Sequence, residues 1–587
     1  MIRTRLVSVL MTLVGLAMTA SGQELQPGPY DVVIRGGTIV DGTGNPWFKG
    51  DVAIRGDRIA VIGQLDDARA HRTIDARDLV VAPGFVDIHS HSDMHLLRDG
   101  DAQSKVHDGV TTEILGEDTS AGPRKGKIPA RLPEDAEPAE SAGSWTTLGG
   151  YFDALEAHGI SVNVASYVGL GTLLECVEGN SLARPDRARL EAMKALLDEA
   201  MRDGALGLST MLASPRELAV TADDVVELAA VVRRHGGLYA THLRHEGTEV
   251  LAAVAEAIEI GRRARIPVDI THLKIADQSL WHHMGEIVAL IKTARREGVN
   301  VQSNVYPYTR GNNNLVTIIP PWAHEGGKEA LLARLKDPQA RERMKREIKS
   351  GLPGWYDHYT AVGGDWSRMM ISARLSPANR KFEGQTMDRV IASLTPPPGS
   401  GEAPDPVDVF FDFLIAEGGS VGTIYAHHTE EDMNLALLQP WCSIGSDGSA
   451  MAVEGPLHVG HPHPRSFGTF SRVLGRYVRE RRLLRLEDAI RKMTSLNASK
   501  VGIVDRGILR PGLFADVTIF DPEHVADRAT YLDPFRYSVG IRYVLVNGQL
   551  VLDGEEHTHA HPGRALRHPR RPDRLAVPHH EAGVKDR

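Results

Sequence analysis

Short β-branched runs cut by glycines occupy the first part of the chain, at residues 31–34, 37–40, 51–54 and 58–62. Apolar–polar alternation at this spacing predicts a small antiparallel sheet. The same texture returns at residues 515–520 and 543–546, where Asn547-Gly548 then supplies hairpin turn chemistry. Two β-rich ends around a long middle predict one small β domain built from residues 30–82 and 504–556.

The middle, residues 83–503, alternates apolar strands with amphipathic helices. Strand candidates end at Ile88, Leu115, Val168, Met211, His242, His272, Tyr306 and Asp447. Helical periodicity covers residues 186–203, 222–235, 248–265 and 284–297, and Gly204, Gly236 and Gly298 follow where helix C-caps are wanted. Eight strands with intervening helices predict an α/β fold, a TIM-like (β/α)8 barrel. Residues 421–427 also read as a strand, which makes nine candidates for eight places. The Pro- and Gly-rich stretch from 311 to 419 reads as an insertion over the barrel mouth.

A chain of 587 residues with 42% hydrophobic and 24% charged residues has room for one large domain and a smaller one, and is not disordered in composition. Its net charge of −9 is spread without basic blocks, so it carries no footprint for nucleic acid. Two cysteines, Cys176 and Cys442, exclude a disulfide framework. Residues 1–22 read as a secretory signal. Arg3 and Arg5 precede an apolar stretch too short to span a bilayer comfortably, and Ala20-Ser-Gly22 offers a cleavage site before Gln23. An uncleaved anchor helix is the alternative. No cysteine follows to take a lipid, and no later segment is long and apolar enough to cross a membrane, so export to a bacterial periplasm is expected. The tail, residues 557–587, is basic and rich in His and Pro. His557, His559 and His561 there offer metal ligands, but the composition favours a solvated, disordered end.

Histidine, present 26 times, carries the chemistry. In Asp87-Ile-His89-Ser-His91-Ser-Asp93 the two histidines lie two apart on a strand, so both point the same way. His242 ends a second apolar strand, His272 a third, and Asp447, in Ser446-Asp-Gly448, a fourth. Each alone is compatible with a satisfied core histidine or a helix cap. Together they form the series expected where a barrel builds a divalent-metal site from the ends of separate strands.

With these motifs the sequence resembles the amidohydrolase superfamily and, more narrowly, the D-aminoacylase (N-acyl-D-amino-acid deacylase) family. The resemblance runs from about residue 30 to 567. It rests on Ala82-Pro-Gly-Phe-Val-Asp-Ile-His-Ser-His-Ser92, Gly109-Val-Thr-Thr112, Gly207-Leu-Ser-Thr210, the His242 and His272 segments, Tyr306-Pro-Tyr308, Ser446-Asp-Gly448, His463-Pro-Arg465, Gly468-Thr-Phe470 and Ala515-Asp516. It implies a TIM-like barrel with a β-sandwich made from both chain ends. One departure stands out. Where many D-aminoacylases carry a cysteine ligand in a Gly-Asn-Cys-Gly context, this chain reads Gly116-Glu-Asp-Thr-Ser120. Glu117 is the preferred carboxylate ligand, with Asp118 left open, and an oxygen ligand in place of thiolate could shift metal preference away from zinc.

The resemblance further implies one or two divalent ions, zinc first with manganese or cobalt possible. Glu117, His242 and His272 would hold the tighter ion, and His89 and His91 would complete a second site. Asp447 is then the general base and acid, moving a proton from water to the leaving amine. Tyr306, with Tyr308 in reserve, is the candidate oxyanion donor, and Lys274 and Arg465 are candidate clamps for the substrate α-carboxylate. Lys274 falls on the same side as His272 only if the strand continues. The expected reaction cleaves an N-acyl-D-amino acid, a small-molecule substrate, to a carboxylate and a free D-amino acid. A dipeptidase or cyclic-amide hydrolase with a near-identical metal site is the alternative, and a non-catalytic barrel is disfavoured because all five ligand and base positions are filled.

Overall fold

The computed structural model describes residues 29–128, 144–397 and 403–568. The predicted signal segment and the tail beyond residue 568 lie outside the described residues.

Five strands open the chain: β1 (Tyr30–Ile39), β2 (Phe48–Arg55), β3 (Arg58–Gly63), β4 (Ala70–Asp75) and β5 (Val80–Pro83). The runs at 31–34 and 37–40, which the pattern separates, are one strand, because a bulge between Ile34 and Gly37 lets β1 keep pairing with β2. Barrel strands follow: β6 (Phe85–Asp87), β7 (Val110–Leu115), β8 (Asn163–Ser166), β9 (Val168–Gly169), β10 (Gly207–Met211), β11 (Leu238–His242), β12 (Val268–Ile270) and β13 (Val301–Val305). Next come β14 (Gly311–Asn314), β15 (Met369–Ile371) and β16 (Gly422–Tyr425), then β17 (Cys442–Ile444). The chain closes with β18 (Val517–Phe520), β19 (Ile541–Val546), β20 (Gln549–Asp553) and β21 (Glu556–His557).

Parallel pairing runs β6-β7-β8 and β9-β10-β11-β12-β13-β17. β8 and β9 are one strand path interrupted at Tyr167, and a parallel bridge between Ser90 and Gly448 joins the first and last strands. That makes eight strand positions in a closed barrel. Helices Arg187–Asp203, Ala222–His235, Val250–Ala264 and Met284–Arg296 pack outside it. Helix Ala222–His235 begins at a Thr221/Asp224 capping box and stops at Gly236 (φ 80°), a left-handed position that favours glycine.

The ninth strand candidate, residues 421–427, belongs elsewhere. It is β16, the centre of an antiparallel sheet ordered β14-β16-β15. This sheet and, among the described residues, five α-helices between residues 328 and 416 make up the insertion, which extends past the predicted limit of 419 to take in β16. The insertion has its own apolar core, with Phe410, Phe411, Phe413, Leu414, Trp355 and Met344.

The small domain is a nine-stranded sheet ordered β21-β20-β19-β18-β5-β1-β2-β3, with β4 on β1. Its core draws Ile34, Val52 and Val81 from one end of the chain and Val517, Ile519 and Leu545 from the other. Asn547 (φ 49°) and Gly548 (φ 80°) are both left-handed, as the two-residue hairpin turn requires.

The described part of the tail is ordered, contrary to the composition-based expectation. Gly563 donates to the Ile160 carbonyl (2.8 Å), Val164 to the Arg564 carbonyl (2.9 Å) and His568 to the Gly204 carbonyl (2.9 Å). Residues 557–568 are thus a strap along the starts of β8 and β10, held by main-chain bonds that composition does not reveal.

Candidate metal centre and active site

Five predicted ligands meet at the C-terminal mouth of the barrel. His89 and His91 follow β6, Glu117 follows β7, His242 ends β11 and His272 lies just past β12. His89 Nε2 is 2.7 Å and His91 Nε2 3.5 Å from Glu117 Oε2. His272 Nε2 is 4.0 Å from Glu117 Oε1, which also accepts from Thr271 Oγ1 (2.9 Å). The donor atoms form two groups of metal-binding size that share Glu117, His89/His91/Glu117 and Glu117/His242/His272, and a third, His89/His272/Asp447, links them to Asp447. Buried imidazole nitrogens with carboxylate oxygens suit a divalent ion such as zinc. His89 Nδ1 and His242 Nε2 are buried and lack a hydrogen-bond partner, as expected of rings oriented for another purpose.

Asp118 takes a different direction. Its backbone is left-handed (φ 62°), and its carboxyl faces Glu217. Burial and then the Glu117 charge push its pKa up to about 6, and Glu217 is raised too. Glu117 moves the opposite way. Burial would raise it, but the charge and hydrogen bond of His89 outweigh burial and keep it ionised. Of these two neighbours, Glu117 is the one whose carboxylate oxygens lie against the histidines.

The strand carrying His272 does not continue. β12 stops at Ile270, and His272 turns into the left-handed region (φ 35°), a strain of about 1–3 kcal/mol for a non-glycine residue. Asn304, in β13, holds that turn by accepting the His272 amide on Oδ1 (2.9 Å) while its Nδ2 donates to Asp269 Oδ2 (3.0 Å). Lys274 still enters the cavity, but Nζ is bound to Glu246 Oε1 (2.6 Å) and lies 2.9 Å from His272 Nδ1. Any role in clamping substrate is therefore shared with this ion pair.

Glu246 was not among the predicted residues. Its carboxylate lies 3.4 Å from His242 Nε2 and 3.2 Å from His272 Nδ1, beside both rings. A carboxylate behind metal-ligand imidazoles sets their orientation and tautomer. Burial pushes the His272 pKa down, and the Lys274 and His242 charges take it to about 4, so its lone pair is free. At His242 burial pushes the pKa down, but the charge and close contact of Glu246 together carry the shift upward. The i, i+4 spacing of His242 and Glu246 is a visible signal; their meeting with His272 is not.

Asp447 lies past β17 with φ 52° and faces the histidines, its Oδ1 3.0 Å from His91 Nε2 and 3.5 Å from His89 Nε2. Arg465 Nη1 donates to its Oδ2 (2.8 Å). Burial would raise the Asp447 pKa, but the Arg465 charge, the His89 charge and the His91 hydrogen bond hold it well below the usual carboxylate range. Lys105 and Asp87, also absent from the prediction, lock the Asp447 turn. Ser446 N donates to Asp87 Oδ1, and Lys105 Nζ to Asp87 Oδ2 and the Gly448 carbonyl, each at 2.8 Å.

His91, Glu117, His242, Glu246, His272 and Asp447 line a cavity of about 430 Å³. Tyr306 lines it too, buried, with its hydroxyl unpartnered and Arg465 over its ring at 4.9 Å. Burial keeps that hydroxyl protonated, hence a donor. Tyr308 does not line the cavity; its hydroxyl donates to the Pro464 carbonyl (3.4 Å). The insertion supplies the outer wall through Asn312, Asn313, His358, Ser372, Arg374 and His427. Cys176 and Cys442 are buried free thiols outside the cavity.

Residues 72–279 and 444–552 match the model of an amidohydrolase family. The chain is 34% identical over 543 residues to a D-aminoacylase of Alcaligenes xylosoxydans xylosoxydans, covering 92% of this chain and 98% of that one. The chain belongs to the amidohydrolase family. Within it, this amidohydrolase is also 34% identical to an N-acyl-D-glutamate deacylase of the same organism, over 92% of this chain and 96% of the relative. Among solved structures it resembles the N-acyl-D-glutamate deacylase of Bordetella bronchiseptica complexed with zinc and a phosphonate inhibitor, at TM-score 0.76 and 31% identity, covering 92% of this chain and 100% of that one. The family match skips residues 280–443, the region that contains the insertion.

Proposed function

We propose that this amidohydrolase hydrolyses N-acyl-D-amino acids to a carboxylate and the free D-amino acid. The observation that carries the reading is Glu117 placed between two histidine pairs, with the ionised Asp447 facing them across the cavity. The D-aminoacylase and deacylase relatives direct it to this substrate class. His89, His91, Glu117, His242 and His272 would hold one or two divalent ions, zinc foremost. When bound, such an ion supplies Lewis acidity toward the amide carbonyl and a lowered pKa for the attacking water.

The chain's own groups complete the step. As the water oxygen bonds to the amide carbon, Asp447 accepts a water proton, and it returns the proton to nitrogen as the C–N bond breaks. The Tyr306 hydroxyl donates to the developing oxyanion. Arg465 spends one N–H on Asp447 and has others for the substrate α-carboxylate, and Lys274 lines the same cavity. We also place the protein in the periplasm, on the basis of the cationic and apolar pattern of residues 1–22; fractionation of expressing cells tests this.

The decisive assay compares matched N-acetyl-D- and N-acetyl-L-amino acids, with enzyme loaded separately with zinc, manganese and cobalt. Turnover confined to the D series is expected. Turnover of neither series by metal-loaded protein would sink the proposal.

A further inference from the structure

The Asp101 carboxylate is ringed by the three histidines of the C-terminal strap. His559 Nδ1 is 2.6 Å from Oδ2, His561 Nε2 is 2.9 Å from Oδ1, and His557 Nδ1 is 4.0 Å from Oδ2. The cluster sits at the end of the barrel opposite the active site. Gly100 accepts from Ser161 N (2.8 Å) just before β8, and the strap runs along the same edge.

We propose that Asp101, His557 and His559 form a second cation site, for an imidazole-seeking ion such as zinc, with His561 beside it on the other Asp101 oxygen, that staples the strap to the N-terminal face of the barrel. Ligand atoms about 2.0–2.1 Å from a tetrahedral ion lie about 3.3 Å from one another, and the three separations bracket that value. The donor atoms of Asp101, His557 and His559 all fall within 4.8 Å of each other.

The tautomer of His557 is also set for ligation. Its Nε2 faces the Asp101 main-chain carbonyl at 3.0 Å and must carry the hydrogen there. Nδ1 therefore holds the lone pair, and in the ion-free arrangement it accepts the His559 amide at 3.0 Å. An ion displaces this neutral hydrogen bond together with the contact between His559 Nδ1 and the Asp101 carboxylate. Burial pushes the His557 pKa down, so the ring is neutral. The site is open on one side. The His557 and Asp101 side chains are 4% and 12% exposed, those of His559 and His561 67% and 38%, so an ion reaches it from solvent without local unfolding.

The test counts tightly bound zinc by mass spectrometry in the full chain after zinc loading and dialysis. The double variant His559→Ala/His561→Ala should lose one zinc per chain relative to the parent, with amidase turnover unchanged because neither side chain reaches the active site. Trypsin should cut at Arg564 and Arg567 faster in the variant, and faster in the parent once a chelator is added. Turnover verifies folding; were the double variant misfolded, the same count on His559→Ala, a mostly exposed position, decides. Equal zinc counts in parent and variant would overturn the proposal.

Discussion

Arg465 and Asp447 form a buried ion pair, Nη1 to Oδ2 at 2.8 Å, and both side chains line the cavity that holds the histidines. The proposed base is thus kept charged by a residue that also faces the substrate. Its other oxygen, 3.0 Å from His91, points into the centre.

Arg465 therefore sets the acid limb of the pH–rate profile. Its charge is the foremost influence holding Asp447 below the usual carboxylate range against burial. In Arg465→Gln burial meets less opposition, the Asp447 pKa rises, and the base is protonated at a higher pH. The acid limb of kcat/KM should move to higher pH, read from a profile between pH 4 and 8. A limb that stays in place would separate Asp447 from that titration.

Asp447→Asn keeps the shape and removes the proton acceptor. We expect kcat to fall by about 10²–10⁴-fold, with zinc content unchanged. Full activity in this variant would rule out Asp447 as the base.

Glu117 and Asp118 are neighbours with opposite roles, and paired substitutions separate them. Glu117→Gln should lose zinc and activity together, because both histidine groups lean on its carboxylate. Asp118→Asn should retain zinc, since its carboxyl already shares a proton with Glu217. Metal analysis after dialysis distinguishes the two, and loss of zinc in Asp118→Asn would exchange the assignments.

Glu246→Gln weakens the support behind His242 and His272 without touching the centre. Zinc affinity should drop by about 10–100-fold, measured by competition with a chromophoric chelator. Unchanged affinity would make Glu246 a partner of Lys274 alone.

Much of the barrel is legible in the sequence, for a physical reason. Parallel strands buried on both faces read as short apolar runs, and β10 and β11 end at Met211 and His242, where those runs end. Local periodicity does not tell a barrel strand from one in another sheet, so residues 421–427 counted as a ninth. It also carried His272 to the end of a strand that stops at Ile270, because the turn there is imposed by Asn304 from the next strand. Lys105 and Asp87 acquire their roles from partners distant in sequence, and Glu246, although four residues from His242, meets His272 and Lys274 only in the fold. The strap was misread because its order comes from main-chain bonds to the start of β8, and its composition is that of a free end.

The β domain has a consequence for the order in which the protein is made. β5 lies between β1 and β18, with Val81 opposite Ile39 on one side and Ile519 on the other. Synthesis delivers β1 to β5 first, and β5 then waits with one apolar edge bare while the barrel and its insertion are translated. Such an edge is a template for pairing with the wrong chain. The strands synthesised first are thus completed last, when β18 arrives to cover this edge.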